Sequence, residues 1–239
     1  MAGKSDLMST LKKRPDPLTS VALTIPVFLI YHLGILLVES RSGVDLVSNT
    51  VFGVLKASAP VYVVGTLSLA FVLATVTWIE ERRGATQSMA LSRVLGEGVV
   101  FSLLALACLG WAAPRVLRTT DPARFEELGA LDKIVLACGT GFHQEFIFRA
   151  VLVAGFGWLL LKLFRMNNKV AMTVAVIVSS IAFSLIHHYG PFREPFHADV
   201  ALIRVLLGVV FAVLFLLRGF AVAVYAHVFF NIMVLFLYT

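Results

Sequence analysis

His143-Gln144-Glu145-Phe146-Ile147-Phe148-Arg149 places an imidazole, an amide, a carboxylate and a guanidinium inside an apolar run that extends from about Ile134 toward Phe164. Ionisable groups in hydrocarbon cost roughly 2.5–3.5 kcal/mol each on insertion scales, so a cluster of them marks a functional interior. The surrounding composition decides the fold. The 239-residue chain is 59% hydrophobic and 14% charged, with a mean hydropathy of +0.91, far from the roughly 25% charge of a soluble domain. At about 20 apolar residues per crossing, this length gives an all-α, polytopic transmembrane helix bundle of about seven spans, one integral domain with a polar cavity between its C-terminal helices.

Outward from that stretch, three apolar runs precede it (Leu18–Val38, Ala57–Ile79, Val94–Ala113) and three follow (Val170–His187, Val200–Leu217, Phe220–Tyr238). The run that carries the polar cluster is too long for a hydrocarbon core of about 30 Å, so it must tilt, project or break, with Gly139 and Gly141 as the candidate breaks. Basic residues collect at the N-terminus and in alternate connections (Arg82 and Arg83, Lys162 to Lys169, Arg218). By the positive-inside rule this places the N-terminus in the cytoplasm and the C-terminus outside. The same bias accounts for the net charge of +6 without a nucleic-acid partner; the partner it implies is the lipid bilayer. The first run exceeds the usual core of a signal peptide and no convincing cleavage site follows, so a retained helix is expected.

The resulting organisation is a cytoplasmic tail over 1–17, a three-span scaffold over 18–113, a polar extracytoplasmic loop or surface helix over 114–133, and a helix core over 134–239 that carries the chemistry. In the polar loop, Asp121 and Pro122 form a helix-start signal. Glu97 is expected as an interfacial charge, and Cys108 and Cys138 as a pair of buried thiols.

Three fragments carry hydrogen-bonding side chains into the spans. Glu145 and Arg149 share a helical face and can pair, which serves catalysis and helix packing equally well. Phe183 and His187 lie one turn apart at the end of the fifth run, and His188 points about 100° away. His227 and Asn231 share a face of the last run. Two fixed donors there suit either a developing oxyanion or a helix–helix contact.

Gln-Glu-x-x-x-Arg, Phe-x-x-x-His and Ala-His-x-x-x-Asn, in that order on separate spans, resemble the motifs of the CAAX protease and bacteriocin-processing family of intramembrane glutamic endopeptidases. The resemblance covers about Leu131 to the C-terminus. It implies a metal-independent protease without a cofactor in a bacterial or archaeal plasma membrane. Its substrate would be a membrane-anchored protein or peptide: a prenylated terminus, a leader or a C-terminal sorting tail. The family's first Glu and the imidazole at His187 would activate water, His227 and Asn231 would hold the oxyanion, and Glu145 and Arg149 would brace the site.

The family's first Glu is Gln144 here, and a carboxamide cannot take a proton from water. Three readings follow: a deliberate Glu-to-Gln replacement that keeps shape and stops hydrolysis, a variant enzyme using Glu145 as base, or a natural pseudoprotease that binds without cutting. Two other readings stay open. One is a metal site built from His143, Glu145, His187 and His227; the other is a proton or ion path lined by the same groups, although no internal repeat supports a transporter. Counted along straight helices, His187 lies shallower than Glu145 and His227. That mismatch requires a deeper start of the fourth span or a tilt of the fifth, with a cavity open toward the extracytoplasmic side.

Overall fold

A computed structural model describes residues 15–38, 58–83, 91–119, 128–188 and 195–238 of the chain. Among these residues the regular structure is entirely helical. Helix α1 (Pro17–Leu23) begins where Asp16 caps the backbone N–H groups of Leu18 and Thr19, each at 3.0 Å, with Pro17 at the first helical position. It meets α2 (Ile25–Gly34) at a bend of 41°. Pro26 lacks the N–H that would continue the ladder, and Tyr225 donates its hydroxyl to the Leu23 carbonyl at the break, at 3.0 Å. The first apolar run is therefore two helices rather than one.

Six further helical segments are long and apolar enough to cross a membrane, and the bent pair makes up to seven. They are α3 (Ala59–Arg82); α4 (Leu91–Leu109), continued through a 3-10 turn into α5 (Ala113–Thr119); α6 (Ala130–Glu145), continued by a π-helical stretch (Phe146–Phe156) and α7 (Gly157–Lys162); α8 (Asn168–Leu185), ended by a 3-10 turn (Ile186–His188); α9 (Ala198–Arg218); and α10 (Phe220–Tyr238). The helix start expected at Asp121 and Pro122 lies outside the described residues.

Helix α10 is the centre of the bundle, packed by α4, α6 and α9. All nine residues from Phe220 to Val228 are buried. Small residues let neighbouring backbones approach, and in hydrocarbon such packing replaces the hydrophobic drive that operates in water. Gly208 brings α9 against α8 in this way: a Cβ there would lie 2.9 Å from Ser180 Cα. Gly219, at φ +90°, makes the tight turn from α9 to α10. Beside that turn Arg218 donates two hydrogen bonds to Glu97, at 2.8 and 2.5 Å, and Arg93 adds a third at 2.9 Å. Glu97 is thus a clamp between α4 and the α9–α10 turn. At the other end of the bundle, Arg115 on α5 pairs with Asp199 at the start of α9, at 2.9 Å.

Two expectations are corrected. Gly139 and Gly141 do not break the long helix. They lie within unbroken α6, where a Cβ would run into the Tyr31 ring at Gly139 and come within 3.0 Å of Val228 N at Gly141. They are points of close approach, and the helix widens farther on, in the π-helical stretch. Cys138 is buried as expected, but Cys108 is exposed on the outer face of α4.

Candidate active site

Three helices converge on Gln144 and Glu145. Their side chains diverge around the end of α6, and both residues are buried. Glu145 Oε1 accepts from His227 Nδ1 of α10 at 2.7 Å, and Oε2 faces Arg149 Nε at 3.1 Å. Both Glu145 and Arg149 have side chains with no solvent exposure. The guanidinium is held from three directions. Nη2 donates to the Gly208 carbonyl of α9 at 3.2 Å, and the group lies over the rings of Phe183 at 4.8 Å and Phe211 at 5.8 Å. A cation over an aromatic face gains about 2 kcal/mol or more when desolvated, which offsets part of the cost of burying Arg149.

Arg149 belongs to the π-helical stretch, a form that recurs at functional sites because it displaces backbone hydrogen bonds. One of the carbonyls in this stretch, Phe148 O, accepts from Ser179 Oγ of α8 at 2.5 Å. Ser179 therefore ties the widened helix to the helix that carries His187.

His187 lies in the 3-10 turn that ends α8, and its Nδ1 donates back to Phe183 O at 2.9 Å. That bond leaves Nε2 directed at Gln144 Nε2, 3.5 Å away. The mismatch in depth resolves through the length of α6. Gln144 lies about 21 Å from the start of its helix at 1.5 Å per residue, yet it is level with the far end of α8. The first turns of α6 therefore overhang that end.

The two imidazoles are anchored by the same atom on different partners. A ring whose Nδ1–H rests on a neutral carbonyl keeps Nε2 as an acceptor, the arrangement at His187. A ring whose Nδ1–H rests on a carboxylate can carry a proton on Nε2 as well and donate it to a developing oxyanion, the arrangement at His227. Phe211 fixes the His227 plane by stacking at 4.4 Å and 11°. Asn231 stands one turn farther along α10, partly buried and without a hydrogen-bond partner among the described residues.

The structure thus joins Gln144, Glu145, Arg149, His187 and His227 around one centre and leaves Asn231 beside it. His143 turns away. Its Nδ1 donates to Gly139 O at 2.8 Å, and its ring packs edge-on against Tyr31 and His32. His188 packs against Phe196. No group of three His, Cys, Asp or Glu converges as metal ligands would among the described residues.

Phe211, Gly208 and Ser179 could not be singled out from the sequence, because an aromatic, a glycine and a serine in a span carry no signal of their own. Arg204 did carry one. It is a formal charge in an apolar run, and it lies buried on α9, on the same face as Gly208 and Phe211.

Residues 127–233 match the family model described as type II CAAX prenyl endopeptidase Rce1-like. No curated protein and no solved structure matches the chain. The matched segment runs from before α6 into α10 and contains every residue of the centre described above. Through residues 127–233, somewhat less than half of its length, this multi-helix membrane protein is therefore similar to the Rce1-like family of type II CAAX prenyl endopeptidases.

Proposed function

We propose that the chain presents an intramembrane peptidase site in which Glu145, Arg149 and His227 form a fixed brace and Gln144 with His187 forms the edge that holds the attacking water. The observation that carries this reading is the pair of contacts across one centre: Glu145 to His227 at 2.7 Å, and Gln144 to His187 at 3.5 Å. A water bound between Gln144 and His187 would attack a peptide carbonyl. His227 Nε2 and the Asn231 amide would donate to the oxyanion, and the proton taken from water would pass to the departing amine.

A carboxylate at position 144 would accept that proton. The amide of Gln144 can orient a water and accept nothing from it, so the chain as it stands binds a membrane-anchored polypeptide and does not cut it. Glu145 does not substitute for the missing base. Both its oxygens are engaged, and no face of it is exposed.

The substrate is a membrane-associated protein tail or leader. Hydrolysis in the Gln144→Glu chain proceeds without a metal, with the N-terminus cytoplasmic in a bacterial or archaeal plasma membrane. The test compares the termini of membrane proteins in cells producing the Gln144→Glu chain with those in cells producing the chain as it stands. New termini confined to the Gln144→Glu cells, and persisting when purified membranes are treated with a strong chelator, are expected. Identical termini in both cell populations would contradict the peptidase reading, and loss under chelation would contradict its metal independence.

A further inference from the structure

Residues 163–167 connect α7 to α8, and no Asp or Glu occurs between Glu145 and Glu194. Three cations stand in and beside this turn. Lys162, Arg165 and Lys169 are all exposed, and none has an ion-pair or ring partner among the described residues. The other exposed cations whose side chains are described are matched. Arg83 pairs with Glu80 at 3.0 Å, Arg115 pairs with Asp199 at 2.9 Å, and Arg82 lies over the Trp78 ring at 4.2 Å.

The packing of α7 on α8 brings the three together. Gly157 lies against α8, where a Cβ would run into Met172 Cε and come within 3.5 Å of Ala175 Cβ. Lys162 is five residues beyond Gly157 and Lys169 three before Met172, about 8 and 5 Å along their helices. With helix axes about 8–10 Å apart at such a contact, both cations and the turn between them share one tip. Met166 N–H closes the turn on the Leu160 carbonyl at 3.2 Å, with Arg165 in the left-handed region at φ +50°. Glycine usually takes that place, since it has no Cβ to clash. A cation kept there at a conformational cost points to a use for its side chain. The positive-inside rule alone does not require it, because that rule counts charges in a connection and any flanking position would serve.

Apolar groups surround the charges. Trp158 is 59% exposed and stands one turn before Lys162 on the same face, and Leu163 and Phe164 are 68% and 63% exposed. Exposed rings with cations just beyond them suit the boundary between hydrocarbon and headgroups.

We propose that the α7–α8 tip is a binding surface for the headgroup of an anionic phospholipid. Lys162, Arg165 and Lys169 take the phosphate, the Arg165 guanidinium holding two oxygens at once, while Trp158 and Phe164 lie against the glycerol and upper acyl chains. Charge complementarity carries the assignment: the tip gathers three unmatched cations beside exposed rings at the end of two spans. It stands about 25 Å along the helix from Glu145, and it is independent of whether the centre cleaves.

The test reads Trp158 fluorescence in the full-length chain with Trp78→Phe and Trp111→Phe, reconstituted in phosphatidylcholine vesicles that hold a minor fraction of brominated lipid. Quenching by brominated phosphatidylglycerol is compared with quenching by brominated phosphatidylcholine. One cation near an anionic surface contributes about fivefold in affinity, so three should give phosphatidylglycerol a preference of roughly ten- to a hundredfold. Lys162→Gln, Arg165→Gln and Lys169→Gln together should remove the preference. Quenching by brominated phosphatidylcholine should stay as it was, showing that Trp158 still faces lipid. Arg165→Gly relieves the backbone and should still lower the preference severalfold, whereas a purely structural role for Arg165 would leave it unchanged.

Equal quenching by the two lipids in the chain that keeps all three cations overturns the proposal without any change to the tip. A preference that persists in the triple variant overturns it as well, since the anion is then held elsewhere. Loss of the preference on adding soluble glycerol phosphate at millimolar concentration contradicts the lipid assignment and makes the occupant a free phosphate.

Discussion

On one side of the centre Glu145 is fully buried between Arg149 and His227, at 3.1 and 2.7 Å, while on the other Gln144 meets a partly exposed His187 at 3.5 Å. The first side gathers a carboxylate, a guanidinium, two aromatic rings and a backbone carbonyl into one network drawn from the end of α6, the π-helical stretch, α8, α9 and α10. The second consists of two side chains and one helical carbonyl. The difference separates what holds the site from what would act in it. A buried network polarises and fixes its members, whereas a group that must receive water and a peptide has to keep an unsatisfied face.

The largest effect belongs to the acting side. In a chain made hydrolytic by Gln144→Glu, the further change His187→Ala should lower kcat by roughly 10²–10⁴-fold, the usual contribution of a positioned acid–base group. It should leave the unfolding midpoint in detergent nearly unchanged. A rate within threefold of the parent would remove His187 from the acting side.

The bracing side should respond in stability. Glu145→Ala leaves Arg149 buried without its ion-pair partner and should cost about 3–5 kcal/mol. Gln144→Ala, one residue away, should cost about 1 kcal/mol or less, since it removes one long contact. Chemical denaturation of the two variants in the same detergent measures the contrast, and equal losses would erase the distinction between the sides.

A smaller effect tests the connection between the sides. Ser179→Ala removes the bond from α8 to the Phe148 carbonyl and should cost about 1 kcal/mol. In the Gln144→Glu background it should lower kcat more than it raises KM, because it acts on the position of His187 relative to the widened helix. Unchanged kcat with normal stability would show that Ser179 holds nothing in register.

Much of this site was legible in the sequence for one physical reason: a charge or imidazole in an apolar run is expensive and stands out against its background. That logic marked Glu145, Arg149, His187 and His227 as candidates, which the motif resemblance then grouped, and it outlined the apolar runs that became the spans. Applied evenly it also marks Arg204, a formal charge in the sixth apolar run. The same logic is blind to neutral residues. Gly139 and Gly141 read as breaks because glycine weakens a helix in isolation, yet in the bundle they admit Tyr31 and Val228. The π-helical stretch has no sequence signature at all. It shows only once α8 supplies Ser179 for the displaced carbonyl, a tertiary partner that local spacing cannot reveal.

The central claim is that one missing carboxylate separates a peptide-binding site from a peptidase. It is tested most directly by measuring binding and cleavage of the same prenylated peptide by the chain as it stands and by Gln144→Glu, purified side by side in vesicles of the same lipid. The account expects comparable affinity for both. It expects cleavage by Gln144→Glu to exceed that of the unaltered chain by roughly 10²–10⁴-fold. Cleavage by the unaltered chain at the rate of Gln144→Glu would show that the base lies elsewhere and would contradict the account.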